Sequence, residues 1–211
     1  MIMIAFERSF NYPLIRFILT HKRVYPHISD DHSPAVEDYR PIESEAIWYV
    51  VAQDVPPKLS KDAEPDEGPD TLGLWMFCPL NGICWEVHTA LLPCAWGDVG
   101  LEAARQLPAW IWENTPCRRI VTNVPASNRL ALHFALKAGM RVFGINEASY
   151  LKDGKLWDQL CLGISPPYVM GDRDAIEGNI THVLTERERT EVDPRIDRIG
   201  PGWEGRYHHD A

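Results

Sequence analysis

The chain has 211 residues, 45% of them hydrophobic and 24% charged, with 21 Lys and Arg against 30 Asp and Glu and a formal net charge of −9. That composition supports one globular core of roughly 150 to 200 residues, and its acidity opposes broad binding to nucleic acid or to an anionic membrane, for which no basic patch is visible. Five cysteines, at 78, 84, 94, 117 and 161, form an odd set without a CxxC pair, so they read as the reduced thiols of a cytoplasmic protein and not as a disulfide framework.

The opening MIMIAFERSF is apolar for six residues before Glu7 and Arg8 and carries neither a basic leader nor a cleavage site, so no secretion signal is expected. Residues 2–6 read as a short strand. Tyr12 to Thr20 place Leu14, Ile15, Ile18 and Leu19 at helical spacing. After a polar stretch from His27 to Glu45 broken by Pro34 and Pro41, the runs Ile47 to Ala52 and Leu72 to Phe77 are aromatic or β-branched, as strands are. Between them residues 54–70 hold four prolines and six acidic residues, a composition that builds a loop and no core. The longest apolar stretch, Leu72 to Leu80, is less than half the length of roughly 20 residues that spans a bilayer.

Ile83 to Leu92 is the next strand. It is followed by a glycine-containing turn and a helix with Leu101, Ala104, Leu107 and Ile111 on its apolar face. Pro108 predicts a kink there or a second helical segment starting at that point. Ile120 to Val124 reads as a strand. Ser127 is placed to cap a helix with Leu130, Ala131, Phe134, Ala135 and Ala138 on its apolar face, closed by Lys137 and Gly139. Met140 to Ile145 and Leu156 to Ile164 are two further strands, separated by Lys152-Asp153-Gly154-Lys155 with its Asp-Gly turn signal. Residues 1–164 thus form the domain. Residues 165–211, with ten acidic and six basic residues and no lysine, read as a tail or arm in which 183–192 could pair as an edge strand.

Chemistry concentrates between Gly82 and Ile164. On the Ile83 strand, Cys84, Glu86 and His88 share one face by the period of two. Either Glu86 or His88 is of the right type to take a proton from an ammonium group, directly or through water; the alternative is that they simply meet solvent. A zinc reading of Cys84 and His88 with Cys78 or Cys94 lacks the closely spaced ligand pairs of thiolate sites, so no metal is expected. No G-x-S-x-G elbow, P-loop or dinucleotide fingerprint is present.

The order strand with a carboxylate, glycine-containing turn, helix, strand, then Asn128-x-x-Ala131 and Lys137-Ala138-Gly139-Met140, resembles the GNAT superfamily of acyl-CoA-dependent N-acyltransferases. The resemblance implies an α/β fold: a mixed, mostly antiparallel sheet of six or seven strands with helices on both faces, splayed between the Ile83 and Ile120 strands. It implies acetyl-CoA or another acyl-CoA as co-substrate, with the amides of Gly97, Asp98, Val99, Gly100 and Leu101 on its pyrophosphate and Asn128 beside its pantetheine or pyrophosphate. Unpaired amides at a helix N-terminus hold an anion without a basic surface. Glu86 would be the base for direct transfer to a small-molecule or protein amine, with His88 the second choice. The sequence departs from the family pattern where no Gln or Arg opens the Ala95–Gly100 turn, and where Ala135 replaces the tyrosine that reprotonates the thiolate. Tyr150 is the candidate substitute. The FERSFNYPLI, VHTALLP and KDGKLWDQLCLGI segments look most like GNAT-like proteins of tailed bacteriophages. That likeness implies an alternative role, a degenerate fold that assembles with virion or host proteins inside the bacterial cytoplasm or in the virion.

Overall fold

A computed structural model describes residues 3–55 and 70–167. The acidic loop is outside the described residues except at its ends, and so is all of the tail beyond residue 167, including the 183–192 strand expected there. Seven strands form one sheet in the order β1-β2-β3-β4-β5-β7-β6. These are β1 (Met3–Ser9), β2 (Trp48–Val55), β3 (Asp70–Pro79), β4 (Cys84–Leu91), β5 (Arg119–Pro125), β6 (Arg141–Lys152) and β7 (Lys155–Ile164). Every neighbouring pair is antiparallel except β4 with β5. Each strand expected from the β-branched and aromatic runs is present, and β6 runs seven residues past the Ile145 at which its apolar pattern fades.

The alternation of side chains across the sheet sorts the core into two faces. Val50, Trp75, Phe77, Trp85, Val87 and Ile120 point to the side covered by α3 (Asp98–Asn114), which contributes Ala103, Ala104, Leu107 and Ile111. On the same side α4 (Arg129–Lys137) sets Leu132 and Ala135 against Val124, Leu160 and Leu162. Tyr49, Val51, Leu74 and Ala90 point the other way, onto Ile15, Ile18 and Leu19 of α1 (Tyr12–Leu19). Helices therefore cover both faces. A short α2 (Tyr25–Ile28) follows α1.

Several local expectations change. Pro108 lies inside one unbroken 17-residue α3 and is buried, so the packing of Leu107, Pro108 and Ile111 outweighs the lost backbone hydrogen bond. The cap of α4 is Asn128 and not Ser127: Asn128 Oδ1 accepts from the Ala131 amide at 3.1 Å. The apolar face of α4 also differs from the expected one, with Leu130 79% exposed and Leu132 buried. The Asp153-Gly154 pair makes the two-residue turn between β6 and β7, both residues having positive φ, +53° and +69°. Among the described residues no helix is long and apolar enough to cross a membrane.

Candidate functional site

The parallel ladder of β4 with β5 is only three rungs long, Cys84, Glu86 and the residue between them facing Arg119 to Val121. Beyond it β4 continues five residues to Leu91 and β5 four residues to Pro125. The two strands separate there, as the resemblance implies for this pair, and each turns an unladdered edge towards the other over about 13–16 Å at roughly 3.3 Å per residue. Such edges inside a sheet can take an extended chain by backbone hydrogen bonding.

Glu86 stands on the last rung, half-buried. Asn123 Nδ2 of β5 donates to its Oε1 at 2.9 Å. Cys78 of β3 is in register with Glu86, and Cys161 of β7 with Asn123. Burial, and then the Glu86 carboxylate, pushes both thiols up, so they remain protonated neighbours of that carboxylate. His88 is two residues farther along the same face and exposed, in register with Met76. Cys84 is half-buried, and Cys94 lies away on the exposed turn after β4. Among the described residues no group of three or more His, Cys, Asp or Glu side chains is arranged to hold a metal ion.

The turn after β4 passes through a single 3-10 turn, Pro93–Ala95, and Trp96 before Gly97 starts α3 as its N-cap with φ +99°. Among the described residues no side chain caps α3, and its first helical bond is Leu101 N to Gly97 O at 3.1 Å. The amides of Asp98, Val99 and Gly100 thus precede the first internal bond of the helix. Gly100 is fixed by close approach: a Cβ there would meet Ala95 O at 2.3 Å and Leu91 Cδ1 at 2.8 Å. Trp96 Nε1 donates to Leu91 O at 3.0 Å, and the Arg23 guanidinium lies 4.5 Å from the centre of the Trp96 ring. Arg23 belongs to the α1–α2 connection, so an arginine absent from the local turn in sequence is supplied in space from 73 residues upstream. Asn123 and Arg23 both escape the sequence reading; a polar Asn within the strand RIVTNVP was the one available signal for the first.

Asn128 and Tyr150 come together elsewhere. An open cleft of about 310 Å³ is lined by Pro26 and His27, Pro125, residues 127–130, Tyr150 and Lys152. Tyr150 Oη donates to Ser29 O at 2.7 Å and Lys152 Nζ donates to the same carbonyl at 2.8 Å. Asp31 accepts from the amides of Asp153 at 2.8 Å and Gly154 at 2.7 Å. These bonds pin the segment after α2 to the β6–β7 hairpin and form one wall of the cleft. Burial, followed by the carboxylates of Asp30, Asp31 and Asp153, raises the Tyr150 pKa, so its hydroxyl is both engaged and a weaker acid than an exposed tyrosine. Ala135 is packed under α4 on β5 and β7.

A seven-stranded mixed sheet forked between its parallel pair, with helices on both faces, is the GNAT fold. No protein-family model matches the sequence, and no curated protein matches it. Among solved structures, the chain is similar to the spermidine N-acetyltransferase of Vibrio cholerae in complex with CoA and spermine, with a TM-score of 0.59 and 12% identity over 77% of this chain and 95% of that one. It is similar also to the Vibrio cholerae spermidine/spermine N-acetyltransferase in complex with manganese ions, with a TM-score of 0.53 and 14% identity over 78% of this chain and 92% of that one.

Proposed function

We propose that the protein is an acyl-CoA-dependent N-acyltransferase, using acetyl-CoA and transferring its acyl group directly to an amine. The observation that carries this reading is the fork itself. Glu86 stands where β4 and β5 part, and the uncapped first turn of α3 begins shortly after β4 ends. The donor set suits the phosphate end of coenzyme A: successive amides at a helix N-terminus attract an anion, and Gly100 lets that turn pack against β4. The unladdered edges of β4 and β5 suit the amide-containing arm.

The acyl thioester supplies the electrophile. Glu86, held by Asn123, takes the proton from the acceptor ammonium group or from a water beside it, freeing the nitrogen lone pair to attack the carbonyl. Proton transfer by a positioned carboxylate is worth typically about 10²–10⁴ in rate. His88, exposed along the same face, is the second candidate for this step. Asn128, which the resemblance puts beside the coenzyme, is reassigned here to the acceptor end because it lines the cleft, where its side-chain oxygen already caps α4. Tyr150 is assigned to positioning, because its proton is held by Ser29 O.

Acetyl-CoA at one hundred times its dissociation constant should stabilise the fold by about 2.7 kcal/mol, read as a rise in Tm. No rise at millimolar coenzyme would refute acyl transfer. It would favour the second reading, a fold retained to bind a virion or host protein, which the packed Ala135 in place of an acid supports.

A further inference from the structure

The cleft beside Asn128 has a charge of its own, distinct from that of the whole chain. Its lining includes three basic side chains, His27, Arg129 and Lys152, and no Asp or Glu. Asp30, Asp31 and Asp153 are near enough to Tyr150 to raise its pKa, but none of them lines the cleft, and the first two are held by other donors. Asp30 accepts from the His32 amide and the Ser33 hydroxyl, and Asp31 is held on the Asp153 and Gly154 amides. Lys152 is committed to Ser29 O. The Arg129 guanidinium and the His27 ring have no partner among the described residues and face a cleft floored by Pro26, Pro125 and the exposed Leu130.

Pro125 is two residues beyond Asn123 on β5, hence on the same face and about 7 Å farther along. Asn123 holds Glu86. A small molecule with its nitrogen at Glu86 therefore extends its remaining groups along β5 into the basic cleft. We infer that the acceptor is an amine that also carries an anionic group, a carboxylate or a phosphate, seated against Arg129 and His27. A polycation such as spermine, which the structurally similar Vibrio cholerae enzyme binds, would meet like charge there. The inference rests on the acyl-transfer reading above and narrows its substrate class.

The test is thiol release from acetyl-CoA with four amines: L-phenylalanine, L-phenylalaninamide, phosphoethanolamine and spermidine. One charge-assisted pair predicts a kcat/KM about tenfold or more higher for phenylalanine than for its amide, with spermidine the poorest. The phosphoethanolamine arm tells a phosphate preference from a carboxylate preference. Arg129→Gln, at an exposed helix position, should bring acid and amide to within about threefold while leaving the Tm rise with acetyl-CoA unchanged. Equal rates for acid and amide, a preference for spermidine, or turnover of none of the four would each overturn the inference when that Tm rise is intact. Loss of the Tm rise in the wild-type protein overturns the acyl-transfer reading as well.

Discussion

Asn123 Nδ2 donates to Glu86 Oε1 at 2.9 Å, from two residues beyond the last rung that joins β4 to β5. The bond fixes one carboxylate oxygen at the point where the strands part and makes Asn123 a positioning residue for the proposed base. Glu86→Gln keeps the shape and the bond geometry but removes the basic oxygen. Amine acetylation should fall about 10²-fold or more, while the Tm rise with acetyl-CoA is retained. Asn123→Asp places a second carboxylate beside the first. The amide donor that orients Glu86 is lost, so kcat should fall while the Tm rise with acetyl-CoA is retained. Full activity in Glu86→Gln would transfer the base role to His88, tested by His88→Ala.

Gly100 is required by the approach of α3 to the turn that precedes it. In Gly100→Ala the new Cβ would meet a backbone oxygen at 2.3 Å and a leucine methyl at 2.8 Å. The leucine can rotate, but the Ala95 carbonyl cannot move without shifting the turn. Overpacking of this kind costs typically about 1–3 kcal/mol, so the urea midpoint should fall by a corresponding amount with an unchanged m-value. Gly97→Ala, at φ +99° with open space around it, tests conformation alone.

Alkaline pH should weaken the fold through two buried acids. Burial pushes the Cys117 thiol up to about 11 and the Tyr49 phenol up to about 12, from ordinary values of 9.0 and 10.0. Because the folded values are raised, their contribution is complete below the unfolded values. It is lost as pH climbs through 9 to 11 for Cys117 and 10 to 12 for Tyr49. Urea midpoints measured from pH 8 to 11 should therefore decline, and Cys117→Ala should flatten the first part of the decline. In the same range iodoacetamide should label the exposed Cys94 first and the fully buried Cys117 last.

The strands, the helix that follows each fork strand and the Asp153-Gly154 turn were legible because each depends on a local period or a local φ requirement. The outward orientation of Leu130 was not, since the side of α4 that meets the sheet is set by tertiary packing of Leu132 with Leu160 and Leu162 of β7. Of the candidate site, Glu86 and the Gly97–Gly100 turn stood out through residue type and spacing. Its partners did not: Asn123 is 37 residues from Glu86 and Arg23 is 73 from Trp96, and only the sheet order brings them together. The basic cleft was hidden for the same reason, with His27, Arg129 and Lys152 on three separate elements.

Asp98 and Arg23 oppose each other at the entrance of α3, and their balance should govern affinity for acetyl-CoA. Asp98 is exposed at the first helical position, where its carboxylate favours the helix but repels a phosphate bound to the same amides. Arg23, held against Trp96 at 4.5 Å, presents a cation one residue before Gly97. Exposed charges some 6–8 Å apart interact by about 0.5–1 kcal/mol, a two- to fivefold change in dissociation constant. Asp98→Asn should therefore tighten acetyl-CoA binding, and Arg23→Ala should weaken it by a similar factor. Isothermal titration at 50 and 300 mM NaCl should show both effects shrinking at the higher salt, as screening requires. Desulfo-coenzyme A should report the same two changes, because they act at the phosphates and not at the thioester. If neither variant alters affinity at low salt, the phosphates do not lie at the start of α3, and the coenzyme assignment of residues 97–101 fails even where the acyl transfer itself is observed.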